Sequence, residues 1–292
     1  MKKDNTMTKK PKHRSMMAEA SVRLLHNRTA MFGMIIFLLI VVLCLLAEVI
    51  CPEGYDAQDI SKRFIAPCRE YLLGTDNLGR SLLARILYGG RSSLMIGLAA
   101  TVMSVTIGGI LGMIAGFYGG VVDDAIMRVL DVFNAIPSLL LAICIAAVFG
   151  GSVTNCIIAV GIAGIPSTAR MVRGPTLSTM SMEYVESARS IDASEAVIMF
   201  RHILPNISSV IIVNFTMSIG SSILVASSLS FLGLGVQPPS PEWGAMLSSA
   251  RDYMVKYPYL VTVPGLAIAA VVFSMNLFGD GVRDALDPKL KY

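Results

Sequence analysis

Apolar residues fall in six long blocks, 31–50, 93–117, 130–150, 154–172, 207–235 and 259–279, separated by polar connections. A helix needs roughly 20 apolar residues to cross a bilayer core, so each block is long enough to span. In lipid each must be helical, because the backbone finds no other hydrogen-bond partner there. Two connections are too long to be turns. The segment 51–92 holds Cys51, Pro52, Pro67 and Cys68, then a helix-like stretch around Ser81–Tyr88. The segment Val172–Asn206 is polar and predicts two short helices, broken near Asp192, the second ended by Pro205. Pro137, Pro166 and Pro264 punctuate the blocks, which membrane helices tolerate when neighbours re-satisfy the backbone. The pattern predicts an all-α polytopic membrane protein with six transmembrane helices. It contains no internal repeat and no low-complexity tract.

Composition agrees with that pattern. The 292 residues are 54% hydrophobic and 15% charged, with a mean hydropathy of +0.66. Soluble domains carry about 25% charged residues, so a water-soluble enzyme is excluded, and disorder is excluded by the high hydrophobicity. Residues 1–29 hold eight Lys and Arg (Lys2, Lys3, Lys9, Lys10, Lys12, Arg14, Arg23, Arg28) against Asp4 and Glu19. This arm runs directly into the first block, as a cytoplasmic flank does under the positive-inside rule; nucleic-acid binding is the lesser reading. The apolar run Met31–Ala47 exceeds the 7–15 residues of a signal core, no A-x-A site follows it, and Ile50 precedes Cys51 where a lipoprotein signal wants a small residue. The first block is read as an uncleaved span. With both termini inside, the inner pieces 1–30, 118–129, 170–206 and 280–292 hold 16 of the 24 Lys and Arg.

Several chemistries are missing. There is no G-x-x-x-x-G-K-[ST] phosphate loop, so the chain is not expected to hydrolyse ATP or to act as an enzyme. His13, His26 and His202 are far apart, no cysteine pair has metal-ligand spacing, and no cofactor or metal is expected. Cys44, Cys144 and Cys156 lie in or near spans as small hydrophobes. Cys51 and Cys68 share the outer segment, where a disulfide is chemically possible and two free thiols are the simpler reading. Glu48 and Asp131 sit near block ends, and the middles contain no ionisable residue. Ion-coupled carriers commonly place such groups at mid-membrane, so the driving force enters elsewhere.

What remains is packing, pathway and contact. Gly108, Gly112 and Gly116 form one small face that lets another helix approach closely. The block 207–235 carries Asn214, Ser218, Ser221, Ser222, Ser227, Ser228 and Ser230, which suit either a wet path or interhelical packing. Asn214, Ser218 and Ser222, four residues apart, are the candidate pathway-lining stripe. In the inner segment, Glu183, Glu186 and Arg189 lie on one helical face. Val197, Phe200 and Leu204 give the second helix an apolar side. Such a helix either inserts into a partner's groove or covers the bundle.

The inner segment resembles the EAA loop of ABC-importer permeases: Glu186-Ser187-Ala188, three residues, Asp192, nine residues, then His202-Ile203-Leu204-Pro205. Four other stretches resemble the C-type permease subunit of the dipeptide/oligopeptide/nickel importer family. They are LLGTDNLGRSLLARILYGGRSSLMIG (72–97), AGFYGGVVDDAIMRVLDVFNAIPSLLLAI (115–143), SLSFLGLGVQPPSPEWGAML (228–247) and NLFGDGVRDALDPKL (276–290). The resemblance covers about residues 22–291. It implies a multi-pass bacterial inner-membrane subunit that forms half of a pathway for short peptides and does no chemistry. Implied partners are membrane lipid, a second homologous permease, two cytoplasmic ATP-binding subunits and an extracytoplasmic binding protein. The implied coupling residues are Glu183, Tyr184, Glu186, Ser187, Ala188, Arg189, Asp192, Phe200, Arg201, His202, Leu204 and Pro205. The expected division is a basic arm (1–29), a first span with its outer loop (30–92), a five-helix core (93–281) containing the coupling loop 172–206, and a tail (282–292). Ser187 replaces a family Ala, Ser81 stands where relatives often have Asp, and Asp192 replaces the loop glycine, at a turn Asp tolerates better than most residues. The alternatives are a nickel or metal-chelate importer, favoured by no His or Cys cluster, a stand-alone channel or carrier, and a membrane scaffold.

Overall fold

The computed structural model describes residues 16–287, and its regular elements are all helices. A short helix, α1 (Met16–His26), leads to Asn27. The Asn27 side-chain oxygen accepts the N–H groups of Thr29 and Ala30, satisfying the orphan donors at a helix start, and α2 (Arg28–Leu45) follows. Then come α3 (Ala47–Ile50), α4 (Leu82–Tyr118), α5 (Gly120–Asn134), α6 (Ser138–Phe149), α7 (Val153–Met180), α8 (Glu183–Ser190), α9 (Glu195–Val197), α10 (Leu204–Phe231), α11 (Trp243–Ala250) and α12 (Tyr259–Leu286). The basic residues Lys2, Lys3, Lys9, Lys10, Lys12 and Arg14, with Asp4 and His13, lie outside the described residues.

The glycine face of α4 does what its spacing predicts. A Cβ on Gly112 would come 2.2 Å from the Ala169 carbonyl oxygen, and one on Gly108 would come 2.8 Å from that of Ile165. Only glycine permits this approach of α4 to α7, which gains dispersion contact along the whole crossing. Beside it, Ile96, Ala142, Cys156, Ala159, Ala226 and Leu229 close one core between α4, α6, α7 and α10. A second core joins Cys44, Ile223, Trp243, Val271 and Met275.

One block is bent, and four expectations need correction. The block 130–150 is broken between α5 and α6, which meet at 83°; counted as one bent span, the pair brings the candidate spans to six. Pro137 offers no N–H, and the residue before a proline is pushed out of helical geometry, so the chain turns through 135–137. The outer stretch Ser81–Tyr88 is not separate either; it is the first part of the 37-residue α4, so no break falls at 92–93. At the other end α12 runs on to Leu286, past the expected tail boundary at 282, and α7 runs to Met180, which shortens the inner segment. Finally, Pro205 ends no helix. A wide π-turn over Ile198–Ile203, with the Leu204 N–H bonded to the Met199 carbonyl, precedes it. This relieves the usual clash of a proline ring with the preceding turn, and Glu195–Phe231 is one continuous span-length helix.

The connections 51–80 and 232–258 fold against one another. Phe64, held at φ +57°, stacks on Tyr257 with ring centroids 4.2 Å apart and also meets Tyr253. Tyr259 Oη donates to the Thr75 carbonyl, and Thr75 Oγ1 donates to that of Lys62. Around them the Ser61 hydroxyl and N–H hold the Asp59 carboxyl below its usual range, while Tyr71 and Glu70 hold the Lys62 ammonium above its own.

Candidate functional site

The inner segment is built from the turn at Asp192. Helix α8 ends in a Schellman arrangement: the Asp192 N–H bonds the Arg189 carbonyl, and the Ala193 N–H bonds that of Ala188. This ending requires one left-handed residue, and Asp192 takes it at φ +60°. Val185 and Ala188 turn inward and pack with Phe117, Val172, Ile198, Ile203 and Ile207. Glu183, Tyr184, Glu186, Ser187 and Arg189 face out. So do Arg201, Pro205 and, with 62% of its surface exposed, Phe200; Ile191 is 80% exposed. The burial phase therefore differs from the expected apolar side. Ile198, Ile203 and Ile207 face the bundle, whereas Val197 and Phe200 face away and Leu204 is half-buried. His202 is half-buried beside Tyr184, their rings 6.3 Å apart. Two contacts tie this surface to the end of α4: Tyr118 Oη donates to Glu195 Oε2 at 2.9 Å, and the Arg189 guanidinium lies 5.9 Å over the Phe117 ring.

Higher on α10, Ser218, Ser221 and Ser222 line a cleft of about 140 Å³ with Ser104, Ser138, Ser167 and Thr168. Thr101 Oγ1 donates to Ser222 Oγ at 3.0 Å, and Ser218 Oγ donates to Asn214 Oδ1 at 3.1 Å. Asn214 sits at the edge of the cleft: its Nδ2 donates to Thr168 Oγ1 at 3.4 Å, and it also borders a hollow of about 410 Å³ with Met171, Met217 and Arg283. Steps of four residues drift by about 40° each on an α-helix, so Asn214 is turned part-way from Ser222 toward the neighbouring face. The remaining serines divide as well: Ser227 and Ser230 are buried in packing. No charged side chain lines the 140 Å³ cleft.

The helices thus frame a hydroxyl-lined cleft, and most of Glu183–Pro205 lies exposed. A family model for the inner membrane component of binding-protein-dependent transport systems matches residues 108–292. The chain belongs to that family. A second model, the N-terminal transmembrane domain of oligopeptide transport permease C, matches residues 15–67. The chain is 47% identical to a glutathione transport system permease protein of Pectobacterium atrosepticum, over 92% of this chain and 90% of the relative. It is 43% identical to a di/tripeptide transport system permease protein of Pseudomonas aeruginosa (91% and 90%) and 41% identical to a dipeptide transport system permease protein of Alkalihalophilus pseudofirmus (94% and 90%). The chain is thus a multi-pass membrane permease component, as its hydropathy predicts.

Within this permease, several polar residues that the linear pattern left in connections are structural. Glu242 is fully buried. Its Oε2 caps α11 by accepting the Ala245 N–H, and its Oε1 accepts the hydroxyls of Ser93 and Ser227. One acid thereby joins α11 to α4 and α10. The clue was local: an acid just before the helix-forming stretch Trp243–Ala250 is placed to cap it. On α5, Asp123 is paired through both oxygens with Arg173, and Asp131 with Arg170, which fixes α5 to α7. Glu48 pairs with Arg91 across α3 and α4. Cys51 and Cys68 are both free thiols; Cys51 is buried, which pushes its pKa up with help from the Glu53 charge, and Cys68 is exposed.

Proposed function

We propose that the chain forms half of the translocation pathway of an importer for short peptides. A second homologous permease supplies the other half, two cytoplasmic ATP-binding subunits supply the energy, and an extracytoplasmic binding protein delivers the cargo. The carrying observation is the continuous helix Glu195–Phe231. It carries the exposed Phe200 near its start and runs to Ser218 and Ser222 in the cleft, so one continuous element joins a contact surface to a wet path. A hydroxyl lining without charge suits peptide groups, which offer hydrogen-bond donors and acceptors whatever their side chains. The relatives' names, glutathione and di- and tripeptide permeases, support that cargo class. In this reading Glu183–Pro205 is the ATPase-docking surface, with Phe200 and Tyr184 as apolar anchors. The basic arm and C-terminus are cytoplasmic, and the connections 51–80 and 232–258 face outward.

The decisive experiment is peptide uptake and peptide-stimulated ATP hydrolysis by the reconstituted transporter. Ser218→Leu with Ser222→Leu should abolish uptake while the complex stays assembled. Normal uptake, or a complex that falls apart, would show these serines to be packing residues. In a cysteine-free background, Ala57→Cys should react with an impermeant reagent from outside, and Ile191→Cys only after the membrane is opened. Labelling at 191 from outside would reverse the orientation.

A further inference from the structure

Helix α6 begins at Pro137 with no side chain to cap it. Its first N–H groups therefore lack the kind of partner that Asn27 supplies at α2. This break lies deep. Thirteen residues separate Pro137 from the end of α6 at Gly150, about 20 Å along a helix, inside a hydrocarbon core of about 30 Å. Every residue over 131–140 is exposed, so the rest of the described chain does not cover this elbow. At its inner end Asp131 and Arg170 pair with more than half of each side chain exposed. Irregular backbone at membrane depth persists only where protein covers it or a water-filled cavity adjoins it, because hydrocarbon offers no hydrogen bond. Lipid is the wrong cover for the elbow. The surface of α2 is the opposite case: Phe32, Ile35, Leu38, Leu39, Val42 and Leu43 are exposed, all apolar, and carried on an unbroken helix. That surface suits lipid.

The elbow also borders the cleft. Ser138, the first residue of α6, lines it with Ser167 and Ser221, and all three are exposed. Whatever covers the elbow therefore also closes the cleft on that side. We propose that the elbow 131–140 is the seat of the second permease. The proposal rests on the two-permease reading given above and adds the face that the partner takes. A partner segment packed here has a defined chemistry. It offers hydroxyl or carbonyl oxygens to the uncapped N–H groups of α6, and an apolar surface to Val132, Phe133, Ile136 and Leu140, each of which is exposed. Water alone does not suit the elbow, since these four large side chains lose in water the free energy that a protein partner recovers.

The test places a photoreactive benzoylphenylalanine on each of the two surfaces, in the complete transporter in lipid nanodiscs. The positions are Phe133 on the elbow and Phe32 on α2, both exposed aromatics. Illumination should join the Phe133 variant to the second permease and the Phe32 variant to lipid. Crosslinking of the Phe133 variant to lipid only, to a second copy of this chain or to another subunit would overturn the proposal. Equal crosslinking of both variants to the second permease would overturn it too. Leu140→benzoylphenylalanine, on the other side of the break, is the independent position and should capture the same partner. If one elbow variant fails to fold, the other decides. An elbow variant that keeps the wild-type melting temperature but sheds the second permease, while the Phe32 variant retains it, assigns the seat equally. A transporter that assembles and gives no permease adduct at 133 or 140 sinks the seat alone. If the wild-type chain purifies without a second permease, the functional reading itself falls, and the seat with it.

Discussion

Two polar connections of similar length end up in opposite physical states. The first, 51–80, is stitched to the chain before and at the start of α12, where Phe64 stacks on Tyr257 and Tyr259 bonds Thr75, and beside it Glu242 joins three helices through its two oxygens. The inner one holds itself by a thin apolar seam and touches α4 through Tyr118 and Phe117, while Phe200 and Ile191 stand in solvent. Burying apolar surface is worth about 25 cal/mol per Å², so the inner segment leaves that free energy unused within the chain. The connections 51–80 and 232–258 hold one another, whereas the segment Glu183–Pro205 leaves Phe200 and Ile191 exposed. That difference separates self-supporting structure from a contact surface more reliably than polarity does, since both segments read alike along the sequence.

The contrast can be broken from either side. The largest effect is expected at Glu242. Glu242→Leu removes the α11 cap and orphans the hydroxyls of Ser93 and Ser227, at a cost of about 3 kcal/mol, read as a lowered melting temperature of the detergent-solubilised chain. Glu242→Gln should retain most of the stability. Phe200→Ala comes next and should act in the opposite way. The chain's own melting stays put, while retention of the ATP-binding subunits falls by about 2 kcal/mol in binding, typical of an aromatic anchor. Glu186→Ala, on the exposed rim, should cost under about 0.5 kcal/mol. Equal losses at the two positions would mean that charge, not apolar burial, makes this contact. At the turn, Asp192→Gly should change stability by less than about 1 kcal/mol and leave coupling intact, because both residues accept a left-handed backbone. Asp192→Val should misfold the loop, since a β-branched residue resists φ +60°. The smallest effect is chemical. Burial raises the Cys51 pKa above the ordinary thiol value, so at any given pH less of it is the reactive thiolate, and its labelling should grow as pH rises. Cys68 should be alkylated first by a soluble reagent, with no change in function.

Most of the bundle is legible from hydropathy because lipid forces apolar blocks into helices. The glycine face of α4 is legible for the same kind of reason, since 108, 112 and 116 recur at one helical spacing. The turn at Asp192 follows from its side-chain type. Other features escape because they depend on what a residue meets after folding. Pro137 announces a break but not an 83° bend, and Pro205 looks like a stop until the π-turn before it absorbs the missing donor. Glu242 and Arg85 read as ordinary outer-loop charges, and only α11 and α4 folding together makes them buried. The serines of α10 divide between cleft and packing through the drift of a 3.6-residue helix, which a four-residue spacing rule overlooks.

The π-turn before Pro205 has a mechanical consequence. Because it keeps Glu195–Phe231 unbroken, the 37 residues form a rod about 55 Å long. A rod transmits rotation without loss, and rotation grows into displacement with distance from the pivot. A tilt of about 5° imposed at Phe200 would carry the far end sideways by roughly 5 Å over that length, about the width of a peptide backbone. A hinge at Pro205 would instead have dissipated the same motion in the loop.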